Sequence, residues 1–360
     1  MMQIKRYMAL ALLGAGLLAL AGCQGKNDGR TEVVGALLRN DYEPFLKDYK
    51  AGLEAAAAKN NVTLKIYSSN NDAAIQIDQL KTLLLNGVKH FVIIAYNTDL
   101  TEQMAKIIGS QGGAAVFSNI IPSKEALRVG KDFFYASSPE TDAGAFQAQI
   151  LDGYFKSHPE KAPGKRVNAV YFNGEYGHPA QIYRRIGVVE GLEKLGYTVN
   201  LLTEIGANWS SSSARQSLDL WLEEDHPAFN AVIAQNDEMA LGAVESLVKH
   251  GYVDNSAFPT RDSDGDGTAL SVPVVGVDAT EGGRASLANN QLYGTVLQDA
   301  ALQAETALEL VLACMRNGSA QGFTTSSGIS AAKDVTKEDP LTDRSLINQC
   351  FIVPFLPIKK

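Results

Sequence analysis

The stretch NAVIAQNDEMALGAVE (230–245) decides how this chain is read. Ala231 to Ala234 form a short, wholly apolar run that ends on the polar group Gln235-Asn236-Asp237. Beyond it, Met239, Ala243 and Leu247, with Ala240, Val244 and Val248, recur at four-residue spacing, which predicts a helix over 237–250. A continuous apolar strand feeding an amphipathic helix is the grammar of a parallel sheet covered on both faces. Working outward, the same grammar repeats. Strands are expected at 32–38, 62–68, 90–96, 113–119 and 132–137, and again at 166–172, 199–205, 230–235, 272–277 and 293–297. Helices are expected at 43–58, 74–86 and 100–110, then at 179–195, 210–224, 237–250, 280–289 and 299–316. Two similar series predict an α/β fold of two doubly wound lobes rather than one large sheet. VIIAYNTDL (92–100) echoes AVIAQNDEMA (231–240): strand, Asn and an acidic residue, helix. Taken singly, such an Asn or Asp reads most simply as a helix cap. Taken as a set at the C-terminal ends of parallel strands, they read as the wall of a ligand cleft.

The 360 residues suggest about two domains, and their 45% hydrophobic and 20% charged content is that of a globular protein. The net charge of -8 disfavours a polyanion partner, because nucleic-acid affinity rests on Lys and Arg neutralising phosphates. Reaction chemistry is hard to find. The sequence has no phosphate-binding G-x-x-x-x-G-K-[ST], no H-E-x-x-H and no G-x-S-x-G, and its five histidines are scattered. The reading is a binding protein, not an enzyme. Cys314 and Cys350 could form a bridge in an oxidising compartment, and two buried thiols is the plainer expectation.

Three segments are more specific: AQNDEMALGAVE (234–245), VVGVDA (274–279) and GTVLQDA (294–300). With GEYGHP (174–179), PSKEAL (122–127) and Phe134-Tyr135, they resemble the periplasmic D-galactose/D-glucose-binding proteins. These are type I substrate-binding proteins of sugar ABC transporters. The resemblance runs from about residue 33 to the C-terminus with its segments in consistent order. It implies two lobes, 32–137 plus 299–353 and 138–298 plus 354–360, joined by hinge crossings near 137–139, 298–300 and 353–356. It implies a monosaccharide ligand, an ABC permease as receiving partner, a monomer, and docking on a chemoreceptor or sensor kinase as an alternative role. His178, Arg184, Asn236 and Asp278 match the family's polar ligand residues, and Phe45 and Trp209 match its two ring-stacking aromatics. Several positions depart from the pattern. Glu43 stands for an Asp, Ala180 for a second Asp and Gln298 for an Asn, while Tyr96 or Asn97 takes the place of an N-lobe Asn. A site built to pair hydroxyls rejects analogues strongly, so glucose or galactose leads, with another pyranose or a polyol as the alternative.

The loop DSDGDGT (262–268) follows the first half of an EF-hand, with carboxylates at Asp262, Asp264 and Asp266, Gly267 after them and the Thr268 carbonyl next. It is expected either to hold a structural Ca²⁺ or to be an acidic surface turn, since Asp and Gly favour turns in any case.

The N-terminus carries Lys5 and Arg6, an apolar run from Met8 to Leu20, and then Leu20-Ala21-Gly22-Cys23. This is the layout of a secretory signal, too short for a membrane span of about 20 residues. Leu-Ala-Gly-Cys resembles the bacterial lipobox, which implies cleavage after residue 22, acylation of Cys23 and a polar tether over 23–31. An ordinary signal peptide with a chance cysteine is the alternative. The expectation is a lipoprotein of the periplasm or cell surface, anchored by acyl chains at about 0.8 kcal/mol per buried CH₂. Cys23→Ala should therefore release the protein from membranes, and a variant that still sediments with them after a salt wash would count against the anchor.

Overall fold

The computed structural model describes residues 32–253 and 269–359. The signal, Cys23 with its tether, and the calcium candidates Asp262, Asp264, Asp266 and Thr268 lie outside the described residues. The first sheet is built from β1 (Val33–Leu38), β2 (Thr63–Ser68), β3 (His90–Ile93), β4 (Ala114–Ser118), β5 (Phe133–Ser137) and β11 (Cys350–Ile352), in the order β11-β5-β4-β3-β1-β2. The second holds β6 (Arg166–Asn173), β7 (Thr198–Gly206), β8 (Ala231–Ala234), β9 (Val274–Val275), β10 (Gly294–Leu297) and β12 (Leu356–Lys359), in the order β12-β10-β9-β8-β6-β7. The two series read from the sequence are thus two lobes. The chain passes between them three times, from β5 into α5 (Glu140–Ser157), from β10 into α10 (Ala300–Asn317) and from β11 into β12.

Alternation along each strand divides the core. In the N lobe, Val34, Ala36 and Leu38 point with Val92 and Val116 toward α1 (Pro44–Asn60) and α10. Leu37, Phe91, Ile93 and Phe117 face the other way, onto α2 (Ala73–Leu85) and α3 (Thr98–Ser110). In the C lobe, Val167, Ala169 and Tyr171 meet α5 and α6 (Pro179–Lys194), while Val170 and Phe172 meet α7 (Ser211–Glu223) and α8 (Asp237–Lys249), with Leu287 of α9 (Glu281–Ala288) in the same core. Each fully buried Leu or Ile contributes roughly 1.5–3 kcal/mol, so both faces of both sheets are needed to hold the loops at their ends. Cys314 and Cys350 lie on opposite faces of the N-lobe sheet and are free, buried thiols, which burial pushes up to about 12.

The structure departs from the sequence reading at several points. β9 is two residues long where 272–277 was expected, although beyond it Gly276 and Asp278 still donate to the Gly294 and Val296 carbonyls of β10 at 3.0 and 2.8 Å. β12 runs antiparallel to β10, so the C-lobe sheet is not wholly parallel; the last strand enters it directly from the other lobe without a crossover helix. The sequence reading also omits the strands β11 and β12, the short helix α4 (Lys124–Arg128) and the long helix α5. Its Ala143, Phe146, Ile150 and Tyr154 have helical spacing, but Gly144 and Gly153 lower its intrinsic preference.

Gly144 has a packing reason, shared with Gly187 of α6. A Cβ on Gly144 would sit 2.1 Å from the Arg184 carbonyl oxygen, and one on Gly187 would sit 2.1 Å from that of Thr141. Helices α5 and α6 therefore touch backbone to backbone. Gly144→Ala should push them apart, destabilising the fold by about 1–3 kcal/mol through overpacking; urea unfolding measures this, and a midpoint equal to the parent's would contradict so close an approach.

Candidate functional site

The C-terminal ends of the strands in both sheets meet across a cleft, and the loops there carry its lining. Glu43, Phe45, His178, Arg184, Trp209, Asn236, Asp278 and Gln298 all line one cavity of about 450 Å³, its mouth included. The room it leaves for a water-sized sphere is about 40 Å³, far below the roughly 300–1,000 Å³ of small-molecule sites. Phe45 comes from the first turn of α1 and Trp209 from the loop after β7, so each lobe contributes one aromatic. Asn97 stands apart from them. Its side chain accepts from the Leu100 N–H at 3.0 Å to cap α3, its surface is exposed, and it borders a neighbouring opening with Tyr96.

Helix starts position several of these groups. Asn236 caps α8, accepting from Met239 N–H at 2.9 Å, while its Nδ2 donates to the Trp209 carbonyl at 3.3 Å. His178 caps α6, its Nδ1 accepting from Ala180 N–H at 3.1 Å. Burial, with Arg39 and Arg184 nearby, holds the imidazole well below its ordinary pKa. The ring is therefore neutral, with its proton on Nε2, a donor. Trp209 has a left-handed φ of 63°, uncommon for so bulky a residue, and Asn208 before it has 49°. The turn presses the indole onto Gly174, where a Cβ would lie 2.1 Å from two ring carbons. The His178 ring meets the indole edge-on at 5.1 Å between centroids.

Arg184 is the hub of the polar wall, 3% exposed. Its Nε donates to Glu140 at 2.7 Å, its Nη1 to the Gln235 carbonyl at 2.5 Å and its Nη2 to Gln298 Oε1 at 3.0 Å. Asp278 Oδ1 lies 3.7 Å from Nη1. Burial raises the Asp278 carboxyl well above the usual range, and Arg184 partly offsets this. Since Arg184 occupies Gln298 Oε1, the amide's orientation is settled, and its buried Nε2 has no partner among the described residues. A lone buried donor costs about 1–3 kcal/mol, and a ligand oxygen would satisfy it.

Glu43 is engaged on its own lobe, Oε1 accepting from Asn40 at 2.7 Å and Arg39 at 3.2 Å. Arg39 also reaches across the cleft mouth to Glu175 at 3.0 Å. Asn119 and Glu238 line the cavity and were not expected from the sequence. Asn119 directly follows β4 with φ of 60° and is 9% exposed. An Asn directly after an apolar strand was the available signal, the pattern that singled out Asn236.

The periplasmic binding protein domain model matches residues 34–319. The chain belongs to that family. It is a solute-binding protein, not an enzyme. It is 25% identical to the xylitol-binding protein of Mycolicibacterium smegmatis over 314 residues, 87% of this chain and 81% of the other. It is 26% identical to the D-galactose/methyl-galactoside binding periplasmic protein of Haemophilus influenzae, covering 76% of each. Among solved structures it matches a Bacillus halodurans ABC transporter solute-binding protein with bound myo-inositol at a TM-score of 0.70 and 20% identity, over 92% of this chain and 96% of that one.

The Gly174–Trp209 contact offers a direct test. Gly174→Ala should displace the indole, changing its emission in a Trp221→Phe background; an unchanged spectrum would mean that the two do not touch.

Proposed function

We propose that this protein captures a monosaccharide, or a polyol of similar size, between its lobes outside the cytoplasmic membrane and delivers it to an ABC permease. One observation carries the reading. Gln298 Nε2, its orientation set by Arg184, is a buried donor without a partner among the described residues, in a cavity lined by Phe45 and Trp209. Aromatic faces suit the C–H faces of a sugar ring, and fixed polar groups around them suit its hydroxyls. His178 Nε2–H and Asn236 would add a donor and an amide, and Asp278 an acceptor beside Arg184. A pyranose of the glucose or galactose kind fits this set, in keeping with the named ligand of the Haemophilus relative. Acylation of Cys23 would hold the protein at the membrane near its permease.

A polyol or cyclitol is the second reading, and two features of the cleft favour it. Ala180 lines the cavity without an acceptor, and Glu43 Oε1 already serves Arg39 and Asn40. The names of the xylitol-binding relative and of the myo-inositol complex agree with this. Calorimetry with D-glucose, D-galactose, xylitol and myo-inositol separates the readings by which compound binds most tightly, and heat from none of them would overturn both. For the one that binds, Trp209→Ala should weaken binding by about 1–3 kcal/mol, as for aromatic stacking contacts elsewhere. Unchanged affinity in a folded variant would put the site elsewhere.

A further inference from the structure

Between α10 and β11 the chain runs through 318–349, a segment without a long helix or strand. It is moored to the N lobe. Leu341 and Leu346 sit in the core on one face of the N-lobe sheet, Arg128 pairs with Asp343 at 2.5 Å, and Lys124 pairs with Asp339 at 2.9 Å. Gln349 Nε2 donates to the carbonyls of Leu127, Gly130 and Phe133. From this mooring Glu338 reaches the first turn of α5, which belongs to the C lobe. Its Oε2 accepts from Glu140 N–H at 2.8 Å, and its Oε1 from Thr141 N–H at 2.5 Å and from the Thr141 hydroxyl. Beside it, Lys337 pairs with Glu190 of α6 at 2.7 Å.

Helix α5 needs this partner. Pro139 at its N-cap has no side-chain acceptor, so the first N–H groups would be left buried without one. A carboxylate there satisfies two of them and meets the positive end of the helix dipole. The placement is also costly, because Glu338 is 1% exposed and Glu140 lies within the same turn. Burial pushes the Glu338 carboxyl up to about 7. A cap drawn from the chain's own neighbours would avoid that cost. What the distant carboxylate adds is a link between lobes at the first passage, one step from the cleft: the Glu140 side chain is the one that holds Arg184 Nε.

We infer that Glu338 is a positioning residue for the ligand cleft: from the N lobe it sets the first turn of α5, and through Glu140 the place of Arg184 and the angle between the lobes. This rests on the cleft being the ligand site, but its first test needs no ligand. The passages lie along one edge of each sheet, so β2 and α7, at the far edges, move most when the lobes open. Spin labels at Tyr67 and Leu220, both exposed, would report the interlobe distance in the full chain without ligand. Glu338→Gln keeps the size of the side chain but loses the charge and one acceptor. It should shift the distances toward an open form, with Glu338→Asp recovering part of the shift. Distances identical to the parent's would overturn the inference, whatever the sugar proves to be. The second arm is calorimetry with D-galactose, xylitol and myo-inositol. If the closed form falls to a tenth of its former population, the Kd of any of these that binds should rise roughly tenfold. A lower melting temperature with unchanged distances and Kd would mark Glu338 as structural only and would also overturn the inference. Should Glu338→Gln fail to fold, Thr141→Val, which removes only the hydroxyl donor to the same carboxylate, carries the same measurements.

Discussion

The buried guanidinium of Arg184 is the constraint on which the cleft depends. A cation withdrawn from water must be paired and hydrogen-bonded, and removing one partner of such a group commonly costs about 3–5 kcal/mol. Here the partners come from four places in the chain: Glu140 on α5, the Gln235 carbonyl after β8, Asp278 after β9 and Gln298 after β10. Satisfying one side chain therefore gathers the ends of three strands and one helix. It also places two of the ligand candidates, with Gln298 pinned through its oxygen and Asp278 held at the edge of the guanidinium.

A second buried acid stiffens the same region. Asp237 is fully buried at the start of α8 and accepts from Thr280 N–H at 2.8 Å and from the Thr295 hydroxyl at 2.6 Å. It ties the loops after β8 and β9 to β10. Gly276 and Gly283 leave room for it, since a Cβ at either would lie 2.2 or 2.0 Å from its carboxylate oxygens. Burial raises the Asp237 carboxyl to about 7, and the hydrogen bonds from Thr295 and Thr280 partly offset this. Asn236 and Asp278, on either side of this knot, are thereby presented to the cleft by a rigid base, and rigidity of that kind lowers the ordering cost of binding.

The site was partly legible in the sequence because helix caps and ligand residues share a chemistry. An Asn after an apolar strand caps the next helix, and at the C-terminal edge of a parallel sheet it can also face a cleft. Asn236 does both, whereas Asn97 only caps, because β3 stops at Ile93 and the intervening turn carries the side chain to the surface. Asn119 faces the cavity without capping a helix. Nothing local separates these three. The difference lies in how far each strand extends before it turns.

The alternation of apolar strands and amphipathic helices was enough to determine two doubly wound lobes, because burial on both faces of a parallel sheet leaves a periodicity that any sufficiently long segment must show. The aromatic and polar residues of the cleft were identifiable by type and position in the segments that carry the resemblance. Only the tertiary structure decided which of them converge, that Arg184 spends its donors on protein rather than on solvent, and that Glu43 is held by Arg39 and Asn40. Only it showed Glu338 reaching the first turn of α5 from 198 residues away. Those are long-range pairings of charged and polar groups, which have no period along the chain and exist only once the cores of both lobes have fixed the backbone that carries them.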